Sequence, residues 1–169
     1  QAATVLTNGG VLIRPQIVHK VLGADGKIVK PFAVESAHSV ISPYVASHIV
    51  SMMEKSAQEG TGQLAQIKGY RIATKTGTAQ IFDETERKYS NEKMIASILG
   101  LFPANDPKFI AYIVIRNPKG EQRYGGLIAA PLLRELTKFL ALYYLLPSDS
   151  QQVLEHPSHV VVSAKPPLI

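Results

Sequence analysis

Apolar residues recur along this chain with two different periods, and the switches between them mark its elements. Gln1 to Thr7 has the spacing of a helix end, which Asn8-Gly9-Gly10 stops because Asn and Gly accept left-handed backbone. Two β-rich runs, Gln16 to Leu22 and Lys27 to Phe32, flank Gly23-Ala24-Asp25-Gly26, and an Asp-Gly turn there predicts a hairpin. Ser42-Pro43 supplies an N-cap oxygen and a proline suited to the first helical position. The helix that follows should turn Val45, Ile49, Met52 and Met53 inward and end before Gly60-Thr61-Gly62. Methionines at that spacing are core filler.

A strand is expected from Gly69 to Ile81, then a polar stretch, Asp83 to Lys93, without apolar periodicity. Met94 to Leu101 and Phe109 to Arg116 are further runs of strand length, joined by the turn-forming Phe102-Pro103-Ala104-Asn105-Asp106-Pro107. So short a connection predicts antiparallel pairing. Gly125-Gly126 precedes a last helix, Leu127 to Leu146, with Leu132, Leu136, Phe139 or Leu140, and Tyr143 at helical spacing. Helix, hairpin, helix, three strands and helix make an α+β fold, an antiparallel sheet flanked by helices. From Pro147 the chain turns polar and proline-rich, which predicts a loose tail over 147–169 and a folded part over 1–146.

Composition narrows the chemistry. Of 169 residues 46% are apolar and only 18% charged, enough apolar surface for a core and too much for a disordered chain. There is no cysteine, so a disulfide framework, an iron–sulfur cluster and a thiol nucleophile are excluded. The net charge of +5 is spread out, with no basic run interleaved with aromatics, and nucleic acid is not an expected partner. The most apolar stretch, Leu127 to Leu146, holds Arg134, Glu135 and Lys138 at its middle and is no membrane span. Gln1 to Gly10 lacks the features of a signal peptide. The chain begins without Met and in mid-pattern, so it is expected to start inside a longer protein.

Chemistry concentrates in Thr74-Lys75-Thr76-Gly77-Thr78-Ala79. Small hydroxylic side chains surround one lysine, and a glycine within a strand often marks close approach by a ligand or another backbone. Parity puts Thr74, Thr76 and Thr78 on one face and Lys75 and Gly77 on the other. They could serve one site only along the strand's edge, where a bound peptide could add as a strand. Hydroxyls and an ammonium there would suit a carboxylate. A plain Thr-rich strand with an exposed lysine accounts for the composition equally well.

The motif context separates these readings. Lys75-Thr76-Gly77-Thr78-Ala79-Gln80 resembles the Lys-Thr-Gly signature of penicillin-binding proteins and serine β-lactamases. Glu59-Gly60-Thr61-Gly62, Gly69 to Ala73, Ala96 to Ala104, Asn105-Asp106-Pro107 and Tyr124 to Pro131 all resemble class B penicillin-binding proteins, most of all the septal, cell-division type. The resemblance runs over Gln1 to Leu142 and implies part of the penicillin-binding/serine β-lactamase fold. It implies a peptidoglycan D,D-transpeptidase: a serine attacks the D-Ala–D-Ala carbonyl of a stem peptide, D-Ala leaves, and a neighbouring strand's amine takes the acyl group. β-Lactams would trap the acyl state. By the same resemblance Lys75 supplies positive potential and supports proton transfer, and Thr76 and Thr78 bind the substrate carboxylate. Thr78 also gives its backbone N–H to the oxyanion hole, and Gly77 leaves room for substrate backbone.

One departure is large. The nucleophile motif Ser-x-x-Lys and the following Ser-x-Asn should precede Lys-Thr-Gly, and neither occurs before Lys75. The one Ser-x-x-Lys match, Ser90-Asn91-Glu92-Lys93, and the Tyr-x-Asn match, Tyr89-Ser90-Asn91, lie downstream in a polar stretch and are taken as coincidences. The chain is thus expected to be the C-terminal part of a transpeptidase domain. Its partners would be the domain's N-terminal half, stem peptides, β-lactams and division-complex proteins. Its place would be the outer face of the bacterial cytoplasmic membrane, through an anchor this chain lacks. Rivals are a non-catalytic module that binds cell-wall peptides or division partners, and a hydrolytic β-lactamase relative. No cofactor or metal is expected: His156-Pro157-Ser158-His159 lacks further ligands, and Gly69 to Thr76 misses the second glycine of a phosphate-binding loop.

Overall fold

The computed structural model describes residues 1–33 and 36–148. The expected tail beyond Ser148 and the His156–His159 pair lie outside the described residues. The chain divides into two compact units, Gln1–Ser51 and the part from Met52 on.

In the first unit α1 (Thr4–Thr7) leads into β1 (Val11–Ile13) through Gly9 and Gly10, both with positive φ. A Cβ on Gly10 would come within 1.9 Å of the Ile41 carbonyl, so only glycine fits this turn. The predicted hairpin is present as β2 (Lys20–Leu22) and β3 (Ile28–Pro31). Its turn is closed by the Gly26 N–H on the Gly23 carbonyl at 3.0 Å, and Asp25 accepts the Lys27 N–H at 3.1 Å. A strand that the pattern did not announce, β4 (Ser36–Ser39), pairs antiparallel with β1.

α2 (Pro43–Glu59) starts where Ser42-Pro43 predicts, with Ser42 Oγ accepting the Val45 N–H at 3.3 Å. Its buried face differs from the expected one. Ala46, Val50, Met53, Glu54 and Ala57 are buried, Ile49 is half-buried, and Val45 and Met52 are exposed. The stripe has rotated by one position because the buried face is built partly on alanine, which a search for large aliphatics passes over. Glu54 is held by Arg71 through paired bonds of 2.6 and 2.7 Å, the bidentate geometry that lets a carboxylate be buried.

The second unit is a three-stranded antiparallel sheet of β5 (Ala73–Asp83), β6 (Lys88–Phe102) and β7 (Phe109–Arg116), in that order. Two expectations are corrected here. Gly69 to Ile72 is not strand, and β6 begins at Lys88 rather than Met94, so the polar stretch is largely strand. Its residues pair through backbone across exposed surface, and such a strand carries no burial pattern. In β7, Phe109, Ala111, Ile113 and Ile115 alternate toward a core built on Ile72, Ile98, Phe102 and Leu133.

The last predicted helix is two, α3 (Gly125–Ile128) and α4 (Ala130–Tyr143). Again the buried stripe is displaced: Ala130, Leu133, Thr137 and Ala141 face inward, while Leu132, Leu136 and Phe139 are exposed. Thr137 is tolerated inside because its hydroxyl donates to the Leu133 carbonyl one turn back, at 2.8 Å. Leu133 packs over Gly100, where a Cβ would lie 2.6 Å from a leucine methyl.

Candidate active site

The register of β5 on β6 fixes which groups meet. Thr74, Thr76 and Thr78 stand opposite Gly100, Ile98 and Ala96 on the face covered by α4. Lys75 and Gly77, opposite Leu99 and Ser97, point to the other face, as strand parity predicts. β5 is the edge of its sheet, so its outer backbone pairs with no strand among the described residues.

Burial falls steeply along the threonine face. Thr74 is fully buried, Thr76 half-buried and Thr78 exposed. The last two open into a groove of about 370 Å³, lined also by Thr61, Tyr124, Gly125 and Gly126. Thr61 and Thr76 meet hydroxyl to hydroxyl at 2.7 Å. The Thr78 hydroxyl accepts the Gly125 N–H at a long 3.5 Å.

Glycines let this groove close up. A Cβ on Gly125 would lie 2.2 Å from the Ser97 carbonyl and 2.7 Å from that of Gly77, and one on Gly126 would lie 2.2 Å from the Thr61 carbonyl. A Cβ on Gly62 would reach 2.0 Å from the Thr74 hydroxyl. The Gly60–Gly62 turn is therefore held between β5 and α3 at contact distances that no other residue type permits.

Of the residues singled out in the sequence, Thr76 and Thr78 line the groove, whereas Lys75 and Gly77 do not. Lys75 is exposed and its ammonium donates to the Thr76 carbonyl at 2.6 Å. Gly77 has a local reason to be glycine, since a Cβ would come within 2.6 Å of the Ser97 hydroxyl across the ladder. Thr61, Tyr124 and the Gly125-Gly126 pair were not marked as site residues. They lie in the Glu59–Gly62 and Tyr124–Pro131 segments that carry the family resemblance, but only the fold shows that those segments meet beside Thr76 and Thr78.

The Ser90-Asn91-Glu92-Lys93 match lies on β6 and starts no helix. Ser90 Oγ accepts the N–H groups of Glu92 and Lys93 at 3.2 and 3.0 Å, and the Lys93 ammonium lies 3.2 Å from Asp83. Donation from the Glu86 N–H, the Lys93 side chain and the Thr85 N–H holds the Asp83 carboxyl below its ordinary range. Among the described residues no three His, Asp or Glu side chains gather as metal ligands, and no helix is long and apolar enough to cross a membrane.

Comparison with known proteins bears on the family of the chain. Residues 1–138 match the penicillin-binding protein transpeptidase domain model. The chain is 35% identical over 138 residues to Stage V sporulation protein D of Bacillus subtilis, covering 81% of this chain and 21% of that one. It is 34% identical over 141 residues to the peptidoglycan D,D-transpeptidase FtsI of Escherichia coli, covering 78% and 24%. It thus spans about a fifth to a quarter of these relatives' length. Among solved structures, penicillin-binding protein 3 of Mycobacterium tuberculosis complexed with aztreonam superimposes with a TM-score of 0.74 at 25% identity, over 90% of this chain and 36% of that one. A peptidoglycan synthetase of Bifidobacterium adolescentis does so with a TM-score of 0.74 at 29% identity, over 90% and 27%. With its Lys-Thr-Gly strand at the sheet edge and the match running from its first residue through most of α4, the chain belongs to the penicillin-binding protein transpeptidase domain family.

Proposed function

We propose that this chain is the C-terminal part of a peptidoglycan D,D-transpeptidase domain and forms the wall against which the acyl-donor peptide lies. The observation that carries the reading is the pair of Thr76 and Thr78 hydroxyls, two residues apart on an edge strand and open to one groove. Two such donors suit the terminal carboxylate of D-Ala–D-Ala, and the edge of β5, unpaired among the described residues, suits its extended backbone. Lys75 adds positive charge beside them, and the Thr78 N–H is the candidate oxyanion donor. β-Lactams, which mimic the dipeptide, would lie in the same place. The nucleophilic serine and its lysine would come from the N-terminal half of the domain, and a membrane anchor and division partners would also belong to the rest of the protein.

The test is intact mass after incubation with benzylpenicillin, for this chain and for a polypeptide extended upstream of Gln1. An adduct on the extended polypeptide alone is expected. There Lys75→Ala should slow acylation by at least about a hundredfold, and unchanged acylation would remove Lys75 from the mechanism. An adduct on the short chain would instead send peptide mapping to Ser90. A second reading, a binding module without catalysis, is favoured by the placement of the sole Ser-x-x-Lys match on a strand with its lysine bound to Asp83. It would be adopted if the extended polypeptide also took no adduct.

A further inference from the structure

The groove contains a hydroxyl that the Lys-Thr-Gly strand does not supply. Thr61 Oγ1 lies 2.7 Å from Thr76 Oγ1, a distance at which one of the two must donate to the other. A hydroxyl facing a carboxylate has to be the donor, because the carboxylate offers only lone pairs. When Thr76 gives its proton to such a ligand, its own lone pair is left to accept the proton of Thr61. The two O–H bonds then point the same way, and each polarises the other. The opposite arrangement, Thr76 donating to Thr61, leaves nothing with which Thr76 can hold an anion.

Thr61 also sits where it can hold that direction. Its turn is pressed against β5 at Gly62, whose added Cβ would lie 2.0 Å from Thr74 Oγ1. On the other side, an added Cβ on Gly126 would lie 2.2 Å from the Thr61 carbonyl. Backbone clamped on both sides keeps the Thr61 hydroxyl over Thr76 without requiring the ligand to organise it.

Resting on the transpeptidase reading above, we infer that Thr61 is a positioning residue of the groove: its hydroxyl donates to Thr76 and keeps the Thr76 proton turned toward a carboxylate. This chain thereby gains discrimination between a peptide with a free C-terminus and one whose terminus is a neutral carboxamide. A carboxamide lacks the charge that strengthens the bond, and its NH₂ can donate to Thr76 and reverse the chain.

The experiment titrates the 169-residue chain with N-acetyl-D-Ala-D-Ala and with its C-terminal amide, following the Thr76, Thr78 and Gly125 amides by NMR. Wild type should prefer the acid. Thr61→Val, which keeps the shape and removes the hydroxyl, should lower that preference by about three- to tenfold, and Thr61→Ser should restore it. A preference unchanged in Thr61→Val, or lost equally in Thr61→Ser, overturns the inference. Absence of acid preference in wild type would sink the carboxylate reading of the groove.

Discussion

The β5–β6 hairpin is held by different forces at its two ends. From Ala73 to Thr78 its partner strand is itself paired on the far side by β7, and α4 covers one face. Ala73, Thr74, Ala96, Ile98, Leu101 and Phe102 are closed to solvent there. Beyond Gln80 the ladder slips by a bulge, β7 ends opposite Ile95, and two strands continue alone into solvent. That distal end is held by an edge-to-face contact of Phe82 with Tyr89, by Gln80 on Asn91 at 3.2 Å, and by Asp83. The inner end rests on buried area and joins the cooperative core, whereas the distal end rests on bonds that compete with water. The groove lies beside the inner end, where positions are fixed by packing. The tip of the hairpin should open locally without disturbing it.

Removing Leu133 is the severest way to break this contrast. Leu133→Ala takes a fully buried side chain off Gly100 and should cost about 3 kcal/mol, read as a lowered midpoint of denaturant unfolding. A loss as small as that of an exposed position would mean that α4 does not hold the inner ladder. Thr74 sharpens the comparison in the other direction. Its hydroxyl is buried without a hydrogen-bond partner among the described residues, so Thr74→Val should stabilise the chain by about 1 kcal/mol at nearly constant volume. Destabilisation there would reveal a partner for the hydroxyl.

The smallest expected effect belongs to the distal end and depends on pH. Asp83 is held below its ordinary carboxylate range by the Glu86 N–H, the Lys93 side chain and the Thr85 N–H, so its native state favours the charged form. Its contribution is complete above the unfolded-state value and is lost as pH falls through the lowered native one. Once the intrinsic slowing of exchange in acid is divided out, the protection of the Thr85, Glu86 and Tyr89 amides should therefore fall with pH while that of Ile98 and Leu101 holds. An equal loss of protection at both ends would show that the hairpin opens as one unit.

Local signals were legible wherever the chain contacts itself nearby. Ser42-Pro43 starts α2, Asp25-Gly26 turns the β2–β3 hairpin, and Met94 to Leu101 and Phe109 to Arg116 are strands. Helix faces were not. In α4 the large apolar residues Leu132, Leu136 and Phe139 are exposed, while Ala130, Thr137 and Ala141 are buried beside Leu133. Periodicity reports where apolar bulk recurs, and a helix packed close to its neighbours buries small residues that such a search ignores. The polar start of β6 escaped for a related reason: it pairs through backbone bonds and exposed contacts, which leave no alternation in the sequence.

The candidate site divides in the same way. Strand parity alone put Thr74, Thr76 and Thr78 on one face and Lys75 and Gly77 on the other, because side-chain direction in a strand is set by the covalent backbone. Sequence motifs alone determined the family resemblance. Only the tertiary structure decided that Thr74 is sealed while Thr76 and Thr78 reach a groove, and that Lys75 lies off it. It alone brought Thr61 to Thr76 and Gly125 to Thr78, across 15 and 47 positions of chain. Those contacts are made by packing glycine against backbone from distant segments, and glycine spacing records that a close approach occurs without recording with what.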